Sequence, residues 1–313
     1  MTQNLNIKII KKLLFSALIA LIACNTNRSS AFLSYFSDDE LINKVLLIGI
    51  DGLSSTRLHK YDLPNLEKLI RNGLYISNTK VNSMPSKSGP GWSDILTGVN
   101  NSKHKVVNNR FEDKKFNLWP DFLNRLEVLN PDINTYAITN WVGFDHIFEE
   151  TDIDYYFRSK VSDVRIGDEL VKDKTIQILK YQSPDAIFTY FNRLDVQGHN
   201  FGGSSAEYEE AAETIDSHIG KIIKYVNYRR KHFPENWLIL IASDHGHTDK
   251  GGHGGNSHDE MSVFMILEGP SVVNRLNIQT DNTFFAPTAI SHVLGYYNSN
   301  WGLDGKVVGI NKE

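Results

Sequence analysis

The sequence predicts an α/β fold in which a mostly parallel central sheet carries helices on both faces. Three observations predict it. From Lys44 onward, short runs rich in β-branched residues alternate with longer amphipathic stretches, the pattern of strands joined by crossover helices. Glycine and proline punctuate the junctions between them, where turns and helix ends favour those residues. Acidic residues follow three of the apolar runs closely, as expected where strand ends form a ligand crevice.

The elements follow in order. Val45–Ile50 is a continuous apolar strand, Pro64–Asn72 a helix closed by Gly73, and Leu74–Val81 a second strand. A helix over Pro90–Leu96, a strand over Ile133–Thr139 and a helix over Gly167–Tyr181 come next. Ala186–Phe191 reads as a strand, Ser204–Arg230 as a long helix, and Leu238–Ala242 and Val263–Leu267 as the last two strands. Ala286–Leu294 closes the fold as a helix capped by Gly295, a residue suited to the left-handed position past a helix end. Residues 98–132 and 140–166 have no clean period and are rich in aromatics; small cap insertions over the site are expected there.

Bulk properties set the class. A chain of 313 residues with 41% apolar and 22% charged content is an ordinary globular protein, with one main domain expected over residues 44–313. Its formal charge is −4, and −7 without residues 1–23, which carry Lys8, Lys11, Lys12 and no acid. No basic stripe advertises binding to a nucleic-acid duplex. The single cysteine, Cys24, excludes an intramolecular disulfide framework. It ends the run Leu21-Ile22-Ala23-Cys24, after three lysines and an apolar stretch from Leu13 to Ala23 that is too short to span a bilayer. Residues 1–23 therefore read as an export signal. The four-residue ending resembles the lipobox of bacterial lipoproteins, which implies acylation of Cys24, a tether over residues 24–43 and a place in the cell envelope, facing periplasm or exterior.

The chemistry lies at the strand ends. Asp51 directly follows the first strand, Asp195 comes soon after Ala186–Phe191, and Asp244 follows Leu238–Ala242. In an open parallel sheet these carboxyl ends form one crevice, so the three acids are expected to converge there, and clustered carboxylates need a cation. Asp195 and His199 stand four apart, Asp244 and His245 are adjacent, and His253 lies within Gly251–Gly255. Imidazole with carboxylate suits zinc. His247 and His258 are read as surface histidines or as neighbours of the ligands.

Together these segments resemble the alkaline phosphatase superfamily, most closely its nucleotide pyrophosphatase/phosphodiesterase branch. The resemblance rests on Leu47-Ile48-Gly49-Ile50-Asp51-Gly52, Pro85-Ser86-Lys87-Ser88-Gly89-Pro90, Leu96-Thr97-Gly98, Asp195 to His199, Ser243-Asp244-His245-Gly246 and His253-Gly254-Gly255. The C-terminal stretches Ala286-Pro287-Thr288 and Gly302-Leu303-Asp304-Gly305 are also similar. It implies an alkaline phosphatase-like fold and two divalent metal ions, expected to be zinc. One would be held by Asp51, Asp244, His245 and the nucleophile Ser88, the other by Asp195, His199 and His253. Ser88 precedes Pro90, a residue favoured in the first turn of a helix, so its hydroxyl is expected at a helix N-terminus that attracts phosphate oxygens. Ser86 is the competing serine. Asn109 aligns with a family asparagine that donates to a phosphate oxygen.

The implied reaction is hydrolysis of a small phosphoester through a phosphoserine, with the ion pair stabilising attacking and departing oxygens. The chain also departs from its relatives. Gly89 stands where the branch usually has an aromatic that stacks on a base, and Trp141 aligns with a substrate-pocket aromatic able to replace part of that contact. Phosphomonoester hydrolysis is the main alternative. Sulfate ester hydrolysis is weaker, since Trp92 occupies the position where the sulfatase signature needs arginine. A lipoprotein that binds metal without catalysis is the remaining reading. The oligomeric state is not legible in the sequence.

Overall fold

The computed structural model describes residues 41–149, 151–273 and 278–311. Cys24, the export signal and all but the last residues of the tether lie outside the described residues. Seven strands form one sheet: Ile42–Ile50 (β1), Leu74–Lys80 (β2), Thr135–Thr139 (β3), Tyr155–Arg158 (β4), Ala186–Phe191 (β5), Glu235–Ala242 (β6) and Ser262–Glu268 (β7). Their spatial order is β2-β7-β6-β1-β5-β3-β4. The described helices of eight residues or more are Pro64–Asn72 (α1), Ser88–Thr97 (α2), Phe122–Leu129 (α3), Val164–Tyr181 (α4), Arg193–Phe201 (α5), Ala206–His232 (α6) and Phe285–Leu294 (α7).

β1 lies between β5 and β6 and is parallel to both, with Val45 opposite Ala186 and Leu238. Its alternation divides the core in two. Val45 and Leu47 point to a layer that contains Trp92 and Leu96 of α2, Phe122 of α3 and Ala289 of α7. Leu46, Ile48 and Ile50 point to the opposite layer with Val171 of α4 and Tyr208, Ile215 and Ile219 of α6. Both faces being covered, β1 reads as an unbroken apolar run. Gly49 is the exception in that run and has a packing reason: a Cβ there would lie 2.4 Å from the Trp92 ring. The glycine leaves room for the indole to lie against the strand just before Asp51.

Only β7 runs against the other strands, pairing antiparallel with both β6 and β2. The 243–261 connection explains this reversal: it contains no helix beyond the single turn His258–Met261, so nothing carries the chain back to the far end of the sheet. That connection instead stays at the carboxyl end of β6 and supplies Asp244, His245, His247 and His253. The two aromatic-rich stretches also differ from the expected caps. Tyr155–Arg158 joins the sheet as the edge strand β4, paired with β3, and the α3 residues Phe122, Leu123 and Leu126 are buried in the core. What reaches the site from these stretches is the loop Asn108–Arg110.

Candidate active site

The carboxyl ends of β1, β5 and β6 are neighbours, and the sequence-predicted acids meet there. Asp51, Asp244 and His245 form one buried group of donor atoms, and Asp195, His199, His247 and His253 form a second. The two groups adjoin, with the His245 and His253 rings stacked at 3.6 Å.

Asp51 directly follows β1 and is fully buried. Its Oδ2 accepts from Trp92 Nε1 at 2.9 Å and from the Tyr190 hydroxyl at 2.5 Å. Both donors sit on one oxygen, which leaves Oδ1 toward His245 Nε2 and Ser88 Oγ, each 3.5 Å away. Trp92 is there because Gly49 admits its ring, and Tyr190 is there because β5 pairs in register with β1, Tyr190 opposite Gly49. Asp244 Oδ1 accepts from the Gly52 backbone at 3.2 Å. Its Oδ2 is buried with no hydrogen-bond partner, 3.2 Å from His245 Nε2.

Asp195 occupies the first turn of α5 and His199 the next, so both project from one side of the helix. The start of that helix is held by the buried Asp168, whose Oδ1 accepts from the Asn192 backbone at 3.1 Å and from Asn140 Nδ2 at 2.6 Å, and whose Oδ2 accepts from the Arg193 backbone at 3.3 Å. His253 comes from the glycine loop. Its Nδ1 donates to the Ser86 carbonyl at 2.7 Å, and its Nε2 faces His199 Nε2 at 3.0 Å and Asp195 Oδ1 at 3.5 Å. His247 is fully buried rather than a surface residue, with Nε2 2.8 Å from Asp195 Oδ1. His258, by contrast, is exposed.

Ser88 is the first residue of α2, only 4% exposed, with its Oγ 3.2 Å from His245 Nε2. The helix begins two residues earlier than the sequence predicts, with Lys87 as its cap residue and Pro90 in the first turn. Ser86 is engaged elsewhere: its hydroxyl donates to the Gly255 carbonyl at 2.8 Å and accepts from the Gly254 backbone at 3.0 Å. Asn109 Oδ1 accepts from the Gly89 backbone at 2.8 Å, taking one of the helix's free N–H groups. Trp141 packs against Phe111, Phe144 and Tyr190, with centroids 5.5–6.5 Å apart. It stands one side chain away from Asp51 and does not line the cavity at the site, which Lys87, Asn108, Asn109, Arg110, His199 and His253 line.

This donor set fits cations. No lysine or arginine among the described residues pairs with Asp51, Asp195 or Asp244, whose ionic neighbours there are all histidines. Burial pushes the Asp51 and Asp244 carboxyls well above the usual range, with the charge of Asp195 adding to both. Burial also raises Asp195, to about 6. The same desolvation holds the His245 imidazole well below its ordinary value and lowers His247 and His253 to about 4. Neutral His245 directs Nδ1–H to the Gly246 carbonyl at 3.2 Å, so its Nε2 lone pair faces the unpartnered Asp244 Oδ2. Neutral His253 likewise turns an Nε2 lone pair toward His199. A cation can take the place of the protons that such a cluster of buried carboxyls and neutral imidazoles otherwise retains, and the backbone carbonyls that accept from His245 Nδ1 and His253 Nδ1 fix each ring's tautomer as ligand histidines require.

Sequence reasoning singled out neither Tyr190 nor Asp168, and it read Trp92 only as the absence of an arginine. Gly49 inside an apolar strand was the one signal available for the indole, since such a glycine marks a close approach.

The type I phosphodiesterase/nucleotide pyrophosphatase family model matches residues 45–261. The bis(5'-adenosyl)-triphosphatase ENPP4 of Bos taurus is 28% identical over 259 residues, covering 77% of this chain and 53% of that one. The chain thus spans about half the length of the curated relatives it matches. Murine ectonucleotide pyrophosphatase/phosphodiesterase 5, solved with AMP, shares the fold at a TM-score of 0.63 and 15% identity, covering 87% of this chain and 97% of that one. A sulfatase-like structure from Bacteroides thetaiotaomicron does so at a TM-score of 0.67 and 12% identity, covering 85% and 73%. With the family model matching over most of the described fold, the chain belongs to the type I phosphodiesterase/nucleotide pyrophosphatase family of the alkaline phosphatase superfamily.

Proposed function

We propose that this chain is a metal-dependent phosphoester hydrolase, of phosphodiesterase or nucleotide pyrophosphatase type, in which Ser88 is the nucleophile. The observation that carries the reading is the position of Ser88 Oγ, at the first residue of α2 and within 3.5 Å of both Asp51 Oδ1 and His245 Nε2. Asp51, Asp244 and His245, with Ser88, would hold one divalent ion, and Asp195, His199 and His253 the other, with zinc matching the mixed imidazole and carboxylate donors. Such ions supply charge stabilisation for the attacking and departing oxygens and lower the pKa of a bound hydroxyl.

The chain's own residues do the rest. Ser88 Oγ forms a bond to phosphorus as the bond to the leaving oxygen breaks, giving a phosphoserine that water then cleaves to restore the hydroxyl. Trp92 and Tyr190 hold Asp51 in place, and His247 does the same for Asp195. Asn109, kept in place by Gly89, presents its amide N–H to a phosphoryl oxygen. Wild-type protein supplied with zinc is expected to hydrolyse bis-p-nitrophenyl phosphate faster than p-nitrophenyl phosphate, and p-nitrophenyl sulfate slowest. Fastest turnover of the sulfate, or none of any, would refute the reading.

The reading includes export and anchoring through Cys24, so radiolabelled fatty acid is expected to follow the protein into the membrane fraction. Label retained by a Cys24→Ala chain would count against it.

A further inference from the structure

The cavity at the site has a volume of about 410 Å³ and is lined by Lys87, Asn108, Asn109, Arg110, His199 and His253. Two features of it bear on what enters. The first is steric. A Cβ on Gly89 would lie 2.6 Å from the Asn108 carbonyl oxygen and 2.9 Å from Asn109 Oδ1. The loop therefore rests directly on position 89, and no aromatic can stand next to the nucleophile to stack on a base. Trp141, the other candidate for that contact, lies outside the lining.

The second feature is charge. The lining holds two cations, two amides and two imidazoles, and no acid, on a chain whose net charge is −4. Lys87 makes no ion pair or side-chain hydrogen bond among the described residues. Its stem runs over the Gly254 position, with Cε 3.3 Å from where a Cβ would be, which sets the ammonium beside the His253 loop. Among the described residues the Arg110 guanidinium pairs with Glu112, Nε to carboxylate at 3.3 Å, and its side chain is 74% exposed. The two terminal nitrogens of that guanidinium have no partner among the described residues, and an arginine fork can grip two oxygens of a phosphoryl group with paired hydrogen bonds.

We propose that Lys87 and Arg110 form a subsite for a second phosphoryl group next to the one being cleaved, so that this chain selects substrates by charge and is indifferent to the base. The inference rests on the reading of Ser88 given above and adds two specificity-determining residues to it. Solvent screening weakens hydrogen bonds from exposed charges, so losing both cations corresponds to about a tenfold to hundredfold change. The contribution of these exposed charges weakens as salt rises.

The test compares kcat/KM for ATP, CTP and bis-p-nitrophenyl phosphate in zinc-loaded wild type, Lys87→Ala/Arg110→Ala and Arg110→Lys. ATP and CTP are expected within about threefold of each other, since no aromatic platform favours one base. The ratio of kcat/KM for ATP to that for bis-p-nitrophenyl phosphate is expected to fall about tenfold to a hundredfold in the double variant, mainly through KM, with part of the loss recovered in Arg110→Lys. An unchanged ratio in the double variant, or a strong preference for one base, would overturn the subsite. Wild type inactive on all three would instead strike at the Ser88 reading itself.

Discussion

Replacing Ser88 with alanine is expected to abolish turnover, by at least about a thousandfold, while leaving the bound metal in place; that factor corresponds to ~4 kcal/mol of activation free energy. The substitution removes one oxygen from the first residue of α2, where alanine is well tolerated, and it replaces none of the seven carboxylate and imidazole side chains of the two donor groups. The hydroxyl's neighbours, Asp51 Oδ1 and His245 Nε2, keep their other contacts: Asp51 retains Trp92 and Tyr190, and His245 retains the Gly246 carbonyl. Turnover of bis-p-nitrophenyl phosphate and metal content by mass spectrometry are the two measurements. Ser86→Ala is the informative companion, because Ser86 ties Gly254 and Gly255 in the His253 loop and its loss is expected to raise the metal requirement rather than remove the nucleophile. An active Ser88→Ala enzyme, or one that turns over no worse than Ser86→Ala, would remove Ser88 from the mechanism.

The residues named from the sequence are those whose placement depends on the strand end they follow. An acid after a buried parallel strand has nowhere to go but the crevice, so Asp51 and Asp244 were legible, and Asp195 with His199 followed from helical spacing. β4 was not legible. All four of its residues are partly buried, so an edge strand of that length shows no alternation to read. The direction of β7 was hidden for a different reason: an apolar run is the same in either direction, and only the lack of a crossover helix in 243–261 decides it. Residues that hold the donors rather than supply them were the hardest to find. Tyr190 and Asp168 act through contacts across 139 and 24 positions of chain, and no local pattern encodes such pairings.

Asp244→Asn is expected to lose one of the bound ions and nearly all activity while keeping the fold. The contacts of Asp244 separate these effects. Asparagine keeps an oxygen for the Gly52 N–H that Asp244 Oδ1 now accepts, and its amide N–H can donate to His245 Nε2 in place of the unpartnered Oδ2. The lone pairs that converge on a cation are thereby replaced by a hydrogen bond, and the negative charge is gone. In metal-free protein the carboxyl is held well above its usual range by burial and by Asp51 and Asp195. The folded state therefore binds a proton that the unfolded state releases above about pH 4, and that part of the stability falls as pH rises through the acid range toward neutrality. Metal-free Asp244→Asn should accordingly lose less stability than metal-free wild type between pH 4 and 7, measured as the shift of the urea midpoint. Tyr190→Phe gives the graded case: Asp51 keeps Trp92 but loses one donor, and metal affinity is expected to drop about tenfold to a hundredfold with turnover recovered at high zinc. Asp244→Asn protein carrying as much zinc as wild type would mean that the buried, unpartnered oxygen faces no ion, and the assignment of Asp51, Asp244 and His245 to a metal would fail with it.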